Sequence, residues 1–447
     1  MTRTLGAAPQ DRDPAAVQRR TMIVLIVMQV VGTVGVGIAP SIGILLAGEV
    51  THDEAWAGLA RTASTLGAAL VGLPLGSLAA SQGRRVALST GWWTAAAGSG
   101  LLVIAAQAGL VVPLFAGLLL IGVGSAVSLQ ARFAATDLAA PRHQGRSLAL
   151  IVWVGTIGSV LGPNLGVPGR LVGERLGLNV YAGAFLIAAV CLALAGLVVF
   201  VWLRPDPLAL LQRATPSVVA SSATSIVTVA GTTATTRAAG GLRPWGRRRG
   251  GRDPARLVLT ELRGNPAARV AVVAILTAQV VMVAIMTMTP VHMMHQSGSI
   301  TLVGITISLH ILGMYALSPV VGHLADRRGH RFAILLGAAI LVISLVLGAS
   351  LPHSTRWIIV SLVLLGIGWS FINVAGSALF SLVVSDRTRA SSQGGVDAMA
   401  NLCGATAAFV AGPLLAVSSF SALSVLAVVV LVPLGALILR PARGVRT

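Results

Sequence analysis

The chain contains no lysine, two cysteines and two tyrosines, and only 10% of its 447 residues are charged. Soluble domains carry about 25% charged residues. With 55% apolar side chains and a mean hydropathy of +0.88, the shortage excludes an ordinary soluble protein. Cys191 and Cys403 both sit in apolar runs, which excludes a disulfide framework. Acidic residues are scarce, 13 against 32 arginines, and only Asp137 and Asp397 approach the ends of apolar runs. No Walker-type glycine loop and no nucleophile with a neighbouring base and acid is present, so neither an enzyme nor a bound prosthetic group is expected.

What is present is a succession of apolar runs, each enough to cross about 30 Å of hydrocarbon as a helix. They fall at 21–47, 57–79, 86–107, 110–132, 147–167, 180–203, 269–291, 299–322, 332–350, 357–384, 395–416 and 419–439. The predicted fold class is an all-α integral membrane protein of 12 transmembrane helices in two pseudo-symmetric six-helix bundles. Residues 1–20 form an N-terminal tail, 21–203 the first bundle, 204–268 a linker, 269–439 the second bundle and 440–447 a C-terminal tail. The linker begins as low-complexity Ser, Thr and Ala and then carries Arg247, Arg248 and Arg249, a composition expected to be cytoplasmic and largely disordered.

The net charge of +19 invites a nucleic-acid reading, but its distribution argues otherwise. Nearly all arginines fall on the side that holds both termini. Arg61, Arg170, Arg175 and Arg356 are assigned to the other side, and Arg132 lies within a span. This asymmetry predicts cytoplasmic termini in a bacterial-type cell membrane, with the bilayer and not nucleic acid as partner. For Arg132 two readings stay open: snorkelling to the interface, and contact with a substrate.

The halves share a repeat. Gly76-Ser-Leu-Ala-Ala-Ser-Gln-Gly83-Arg84-Arg85 follows the second span, and Gly322-His-Leu-Ala-Asp326-Arg327-Arg328-Gly329-His-Arg331 follows the eighth, 246 residues on. Asp137 with Gln144-Gly145 is matched by Asp386 with Gln393-Gly394 at 249, and Gly162-Pro163 by Gly412-Pro413 at 250. The segment from Gly322 to Arg331 resembles the cytoplasmic loop motif of the major facilitator superfamily. The resemblance implies two bundles working by alternating access, with Gly322, Asp326, Arg327, Gly329 and Arg331 forming a charge clamp that breaks and re-forms. In the first-half copy Ala80 and Ser81 replace the acid and a base, leaving Arg84 and Arg85, with Asp137 or Asp397 within Arg84's reach. The fifth span, Gly155-x2-Gly158-x3-Gly162-Pro163-Asn164-x-Gly166, resembles the motif of drug and proton exchangers, although Leu118 stands where such exchangers carry an arginine. A close-packed hinge at Gly162 and Pro163 is the reading preferred to proton antiport.

Soft ligands concentrate between Met282 and Met314, which holds six of the ten methionines and three of the eight histidines. Met282 and Met286 in the seventh span, and His310 and Met314 in the eighth, are each four residues apart, so each pair lies on one helical face. Thioether and imidazole are donors suited to Cu(I). The corresponding first-half stretches, Gly35 to Pro40 and Thr62 to Ala68, contain neither residue. An M-x3-M in the seventh span with an H-x3-M in the eighth is similar to the CcoA-like copper importers, and this resemblance implies copper import with Met282, Met286, His310 and Met314 as the metal-binding residues. Met288, His292, Met293, Met294 and His295 lie beyond, read either as an outer relay handing copper inward or as a Met-rich interfacial segment. The expected substrate is a copper ion or copper chelate, the expected partner a periplasmic or cytoplasmic copper chaperone, and the expected state a monomer. Efflux of a drug or small organic molecule and a non-transporting membrane sensor remain alternatives.

Overall fold

The structure is a computed structural model, and it describes residues 14–53, 55–140, 144–214, 265–384 and 389–439. The expected disordered part of the linker, the C-terminal tail and Asp386 lie outside the described residues.

Eleven helices among the described residues are long and apolar enough to cross a membrane. Arg84–Ala108 completes the sequence of twelve: its 25 residues span about 37 Å, and its buried hydroxyls are satisfied internally. Ser99 donates to the Phe185 carbonyl at 2.7 Å, and Ser89, Thr90 and Thr94 donate to carbonyls of their own helix.

Most of the helices run longer than their apolar runs. The second span is Ala55–Gln82, the fourth Val111–Thr136, the sixth Val180–Trp202, the ninth His330–Ser350, the tenth Thr355–Val383, the eleventh Arg389–Val417 and the twelfth Phe420–Leu439. The seventh begins at Pro266 and continues to Ser297, six residues past the expected end. Asn265 explains its start: its side chain accepts from the Ala267 and Ala268 amides, and Pro266, which has no N–H to satisfy, fits the first turn.

Three spans are broken. The first runs Pro14–Val36, then a π turn Ala39–Gly43 at Pro40, then Ile44–Thr51. In the fifth, Gln144–Leu161 passes through a 3-10 turn Gly162–Leu165 into Gly166–Leu176. The eighth divides into Ile300–Tyr315 and Ser318–Arg328. In the first two breaks proline removes a donor from the helical ladder, and Pro319 opens the helix after the third.

Each half has its own apolar core, one around Trp92, Phe185 and Leu88, the other around Met288, Ile372 and Leu341. The repeat is structural as well as sequential. Gly83 and Gly329, 246 residues apart, make the turns after the second and eighth spans with φ of 91° and 92°, values that strain any residue with a Cβ.

Candidate functional site

The halves meet through small residues on the side opposite the termini. A Cβ on Gly58 would lie 2.1 Å from the Ala408 carbonyl, and one on Gly412 would lie 2.3 Å from the Ala55 carbonyl, so the second and eleventh spans touch backbone to backbone. Thr62 adds a hydrogen bond to the Ala405 carbonyl at 3.0 Å. The symmetry-related pair behaves alike. Gly304 of the eighth span approaches Pro163 of the fifth, and Asn164 Nδ2 donates to Ser308 Oγ at 2.7 Å. The hinge expected at Gly162 and Pro163 is thus a crossing point: Gly162 lies against Gly37 of its own half, and the 3-10 turn carries Asn164 to the other half.

Beneath this seam lies a cavity of about 360 Å³, walled by both halves. Thr33, Ser64, Ser125, Ser128, Arg61 and Arg132 come from the first half, and Met282, Met286, Met314, Tyr315 and Asn401 from the second. It opens toward the termini side, where Asn401 on its wall and Asp397 one turn beyond are exposed. Among the described residues no acidic one lines it. The Tyr315 phenol lies in electrostatic range of both arginines, and its ring packs edge-on to Trp369, whose indole donates to Gln279.

The position of Arg61 corrects the assignment to the outer side: the residue is two turns inside the second span and faces the cavity. Arg132 likewise lines the cavity. The signal for both was available as polar stripes at helical spacing, Gly58, Arg61, Thr62 and Thr65 in one span, and Gly122, Ser125, Ser128 and Arg132 in the other. A guanidinium in a span costs about 3 kcal/mol or more, and such residues line aqueous cavities and substrate paths.

Of the four soft ligands, the structure brings three to the cavity: Met282, Met286 and Met314 are on its wall. His310 is fully buried away from that wall, its Nδ1 2.7 Å from the Leu362 carbonyl of the tenth span. That contact makes Nδ1 the donor and leaves the Nε2 lone pair without a hydrogen-bond partner. The outer cluster does not converge. Met288 and Met293 are in the core of the second half and Met294 packs against it. His292 stacks on Phe420 at 4.4 Å and bonds the Pro352 carbonyl, while His295 is exposed.

The loop residues behave differently in the two halves. Arg84 grips Asp137 through Nε at 2.8 Å and Nη2 at 3.2 Å, with Gln130 at 3.1 Å; Asp137, not Asp397, is its partner. Asp206 accepts from the Arg85 amide at 2.7 Å and supplies an acid at the turn where Ala80 and Ser81 carry none. The Arg85 guanidinium lies over the Phe200 ring. In the second half, Asp326, Arg327 and Arg331 form no ion pair among the described residues, where the pairs are Arg84–Asp137 and the exposed Arg170–Glu174. Added Cβ atoms at Gly322 or Gly329 would meet nothing within 4 Å. Among the described residues the expected clamp therefore shows no ion pair between the halves.

A model of the Major Facilitator Superfamily matches residues 21–298 and 270–446. The chain is 34% identical over 414 residues to the uncharacterized MFS-type transporter YdeG of Bacillus subtilis, covering 91% of this chain and 88% of that one. It is 27% identical over 434 residues to the riboflavin transporter RfnT of Brucella anthropi, covering 96% of each. Among solved structures it resembles the nucleoside transporter NupG (TM-score 0.66, 16% identity, 95% of this chain and 100% of that one). It also resembles a bacterial homologue of the lysosomal transporter Spinster in an inward-facing, occupied conformation (TM-score 0.67, 16% identity, 97% of each).

Proposed function

Because the chain belongs to the major facilitator superfamily and is a membrane transporter by fold and family, we propose that its substrate is a small organic molecule presenting an anionic or acceptor-rich group to Arg61 and Arg132. The observation that carries this reading is the pair of guanidiniums on a cavity wall that, among the described residues, has no carboxylate. Guanidinium offers five N–H donors and no acceptor, and Arg61 forms no ion pair among the described residues, so its charge is best compensated by the ligand. Tyr315, Ser64, Ser128 and Asn401 supply further hydrogen bonds, and the methionines an apolar, adaptable surface for the rest of the molecule. The relation to RfnT makes riboflavin the first neutral, acceptor-rich probe. With the arginine-rich termini side as cytoplasm, the cavity faces inward in this state, and substrate reaches it from outside when the seam at Gly58 and Gly304 parts.

A second reading is copper import, favoured by three thioethers on one cavity wall and by a neighbouring imidazole whose Nε2 lone pair has no partner. Two arginines oppose a bare cation, so copper would enter as a negatively charged chelate. On this reading a copper chaperone is the partner of the monomer, and the outer residues from Met288 to His295, which do not converge, offer no joint relay site. Cells expressing the chain test both: uptake of riboflavin and a panel of labelled organic anions, and copper content, in wild type, Arg61→Gln, and the triple Met282→Leu, Met286→Leu, Met314→Leu. The organic reading expects uptake abolished by Arg61→Gln with copper content unchanged throughout. The copper reading expects copper content to fall in the triple variant. Export of a panel compound, seen as lower cell content, would reverse the direction proposed.

A further inference from the structure

A second concavity lies far from the central cavity, on the outer surface where the termini-side ends of the first and sixth spans meet. Its volume is about 430 Å³. Ile23 and Val27 on the first span and Val198 on the sixth line its deeper part, and Arg19, Arg20 and Trp202 line its rim. The first-span residues recur at three- and four-residue spacing, so they form one face. Ile23 is 57% and Val27 42% exposed, at a depth where the solvent is acyl chain. Arg19 and Arg20 are exposed and have no carboxylate partner among the described residues.

The concavity is therefore amphipathic along the membrane normal, apolar toward the bilayer centre and dicationic at the interface. A phospholipid is amphipathic in the same sense. A zwitterionic headgroup brings to two adjacent guanidiniums a phosphate with its own cation attached, which they repel, whereas a headgroup with net negative charge offers its phosphate for paired N–H to oxygen bonds without that opposing charge. Trp202 sits at the level where indoles prefer the headgroup region, and basic pockets between spans on this side of a membrane select acidic lipids. We propose that this groove is a binding site for one anionic phospholipid of the termini-side leaflet, its phosphate held by Arg19 and Arg20 and one acyl chain lying along Ile23, Val27 and Val198.

The test uses the purified full chain, with phosphatidylglycerol and phosphatidylcholine of identical acyl chains as probes and native mass spectrometry of retained lipid as readout. Two arginines near the surface are each worth about 1 kcal/mol toward acidic lipid, so Arg19→Gln/Arg20→Gln should weaken phosphatidylglycerol retention about thirtyfold. Phosphatidylcholine retention should be unaffected. Val27→Trp, which fills the groove and keeps both charges, should also displace the lipid. Arg146→Gln, on the same side at the start of the fifth span, should change nothing. Equal retention of the two lipids by the wild type would overturn the proposal. So would an equal loss in Arg146→Gln, or undiminished retention in either groove variant.

Discussion

Asn164 and Ser308 join the two halves: the Asn164 amide donates to the Ser308 hydroxyl at 2.7 Å, and that hydroxyl donates back across the seam to the Val160 carbonyl. Both residues lie on the closed side of the molecule, so the bond exists only while that side is shut. Its net worth is about 1 kcal/mol. Asn164→Ala should therefore shift the equilibrium between the two states about fivefold toward the one open opposite the termini. Spin labels at Asp53 and Ser418, in a chain with Cys191 and Cys403 replaced by serine, report this as a larger population of long distances.

Gly58 and Gly412 make the same interface sterically. Added Cβ atoms would lie 2.1 and 2.3 Å from backbone carbonyls across the seam, and backbone cannot rotate aside as a side chain can. Gly58→Ala and Gly412→Ala should each prevent full closure and reduce transport severely, while the folded halves, whose cores lie elsewhere, keep their melting temperature. The same label pair should show the long distance predominating. An unchanged distance distribution would mean that the seam opens by another route.

The Arg84–Asp137 pair is nearly closed to solvent, with side-chain exposures of 12% and 9%. Removing one partner strands the other, and for such a pair the loss is about 3 kcal/mol. Arg84→Gln and Asp137→Asn should each lower the melting temperature of the purified protein. The double variant should lose clearly less than the sum of the two, because the second substitution removes the stranded charge.

Much of this was legible in the sequence. Span count, the division into halves, the repeat and its two glycine turns all follow from hydropathy and from motif positions, because backbone in lipid must be helical and a turn with φ near 90° requires glycine. Arg84's reach was legible only down to two acids, Asp137 or Asp397, and the structure pairs it with Asp137. Arg61 was not legible: although it falls within the 57–79 run, counting arginines by side assigned it, near a span end, to the outer loop, and only the packing of the two halves places it on the cavity wall. His310 illustrates a different limit. Four-residue spacing correctly places it one turn from Met314, but the cavity wall passes between them, and its contact with the Leu362 carbonyl depends on the tenth span packing against the eighth.

The central claim, that Arg61 and Arg132 receive the substrate in the cavity between the halves, is tested most directly by ligand-induced thermal stabilisation of the purified protein. Riboflavin, a panel of mono- and dianionic metabolites, and a Cu(I) chelate would be titrated against wild type, Arg61→Gln, Arg132→Gln and the triple methionine-to-leucine variant. A ligand that binds the folded state raises stability by about 2.7 kcal/mol at a hundredfold excess over its Kd. The account predicts that at least one organic ligand gives such a rise in wild type and in the methionine variant, and that the rise disappears in both arginine variants. A rise that persists undiminished in Arg61→Gln and Arg132→Gln would contradict it.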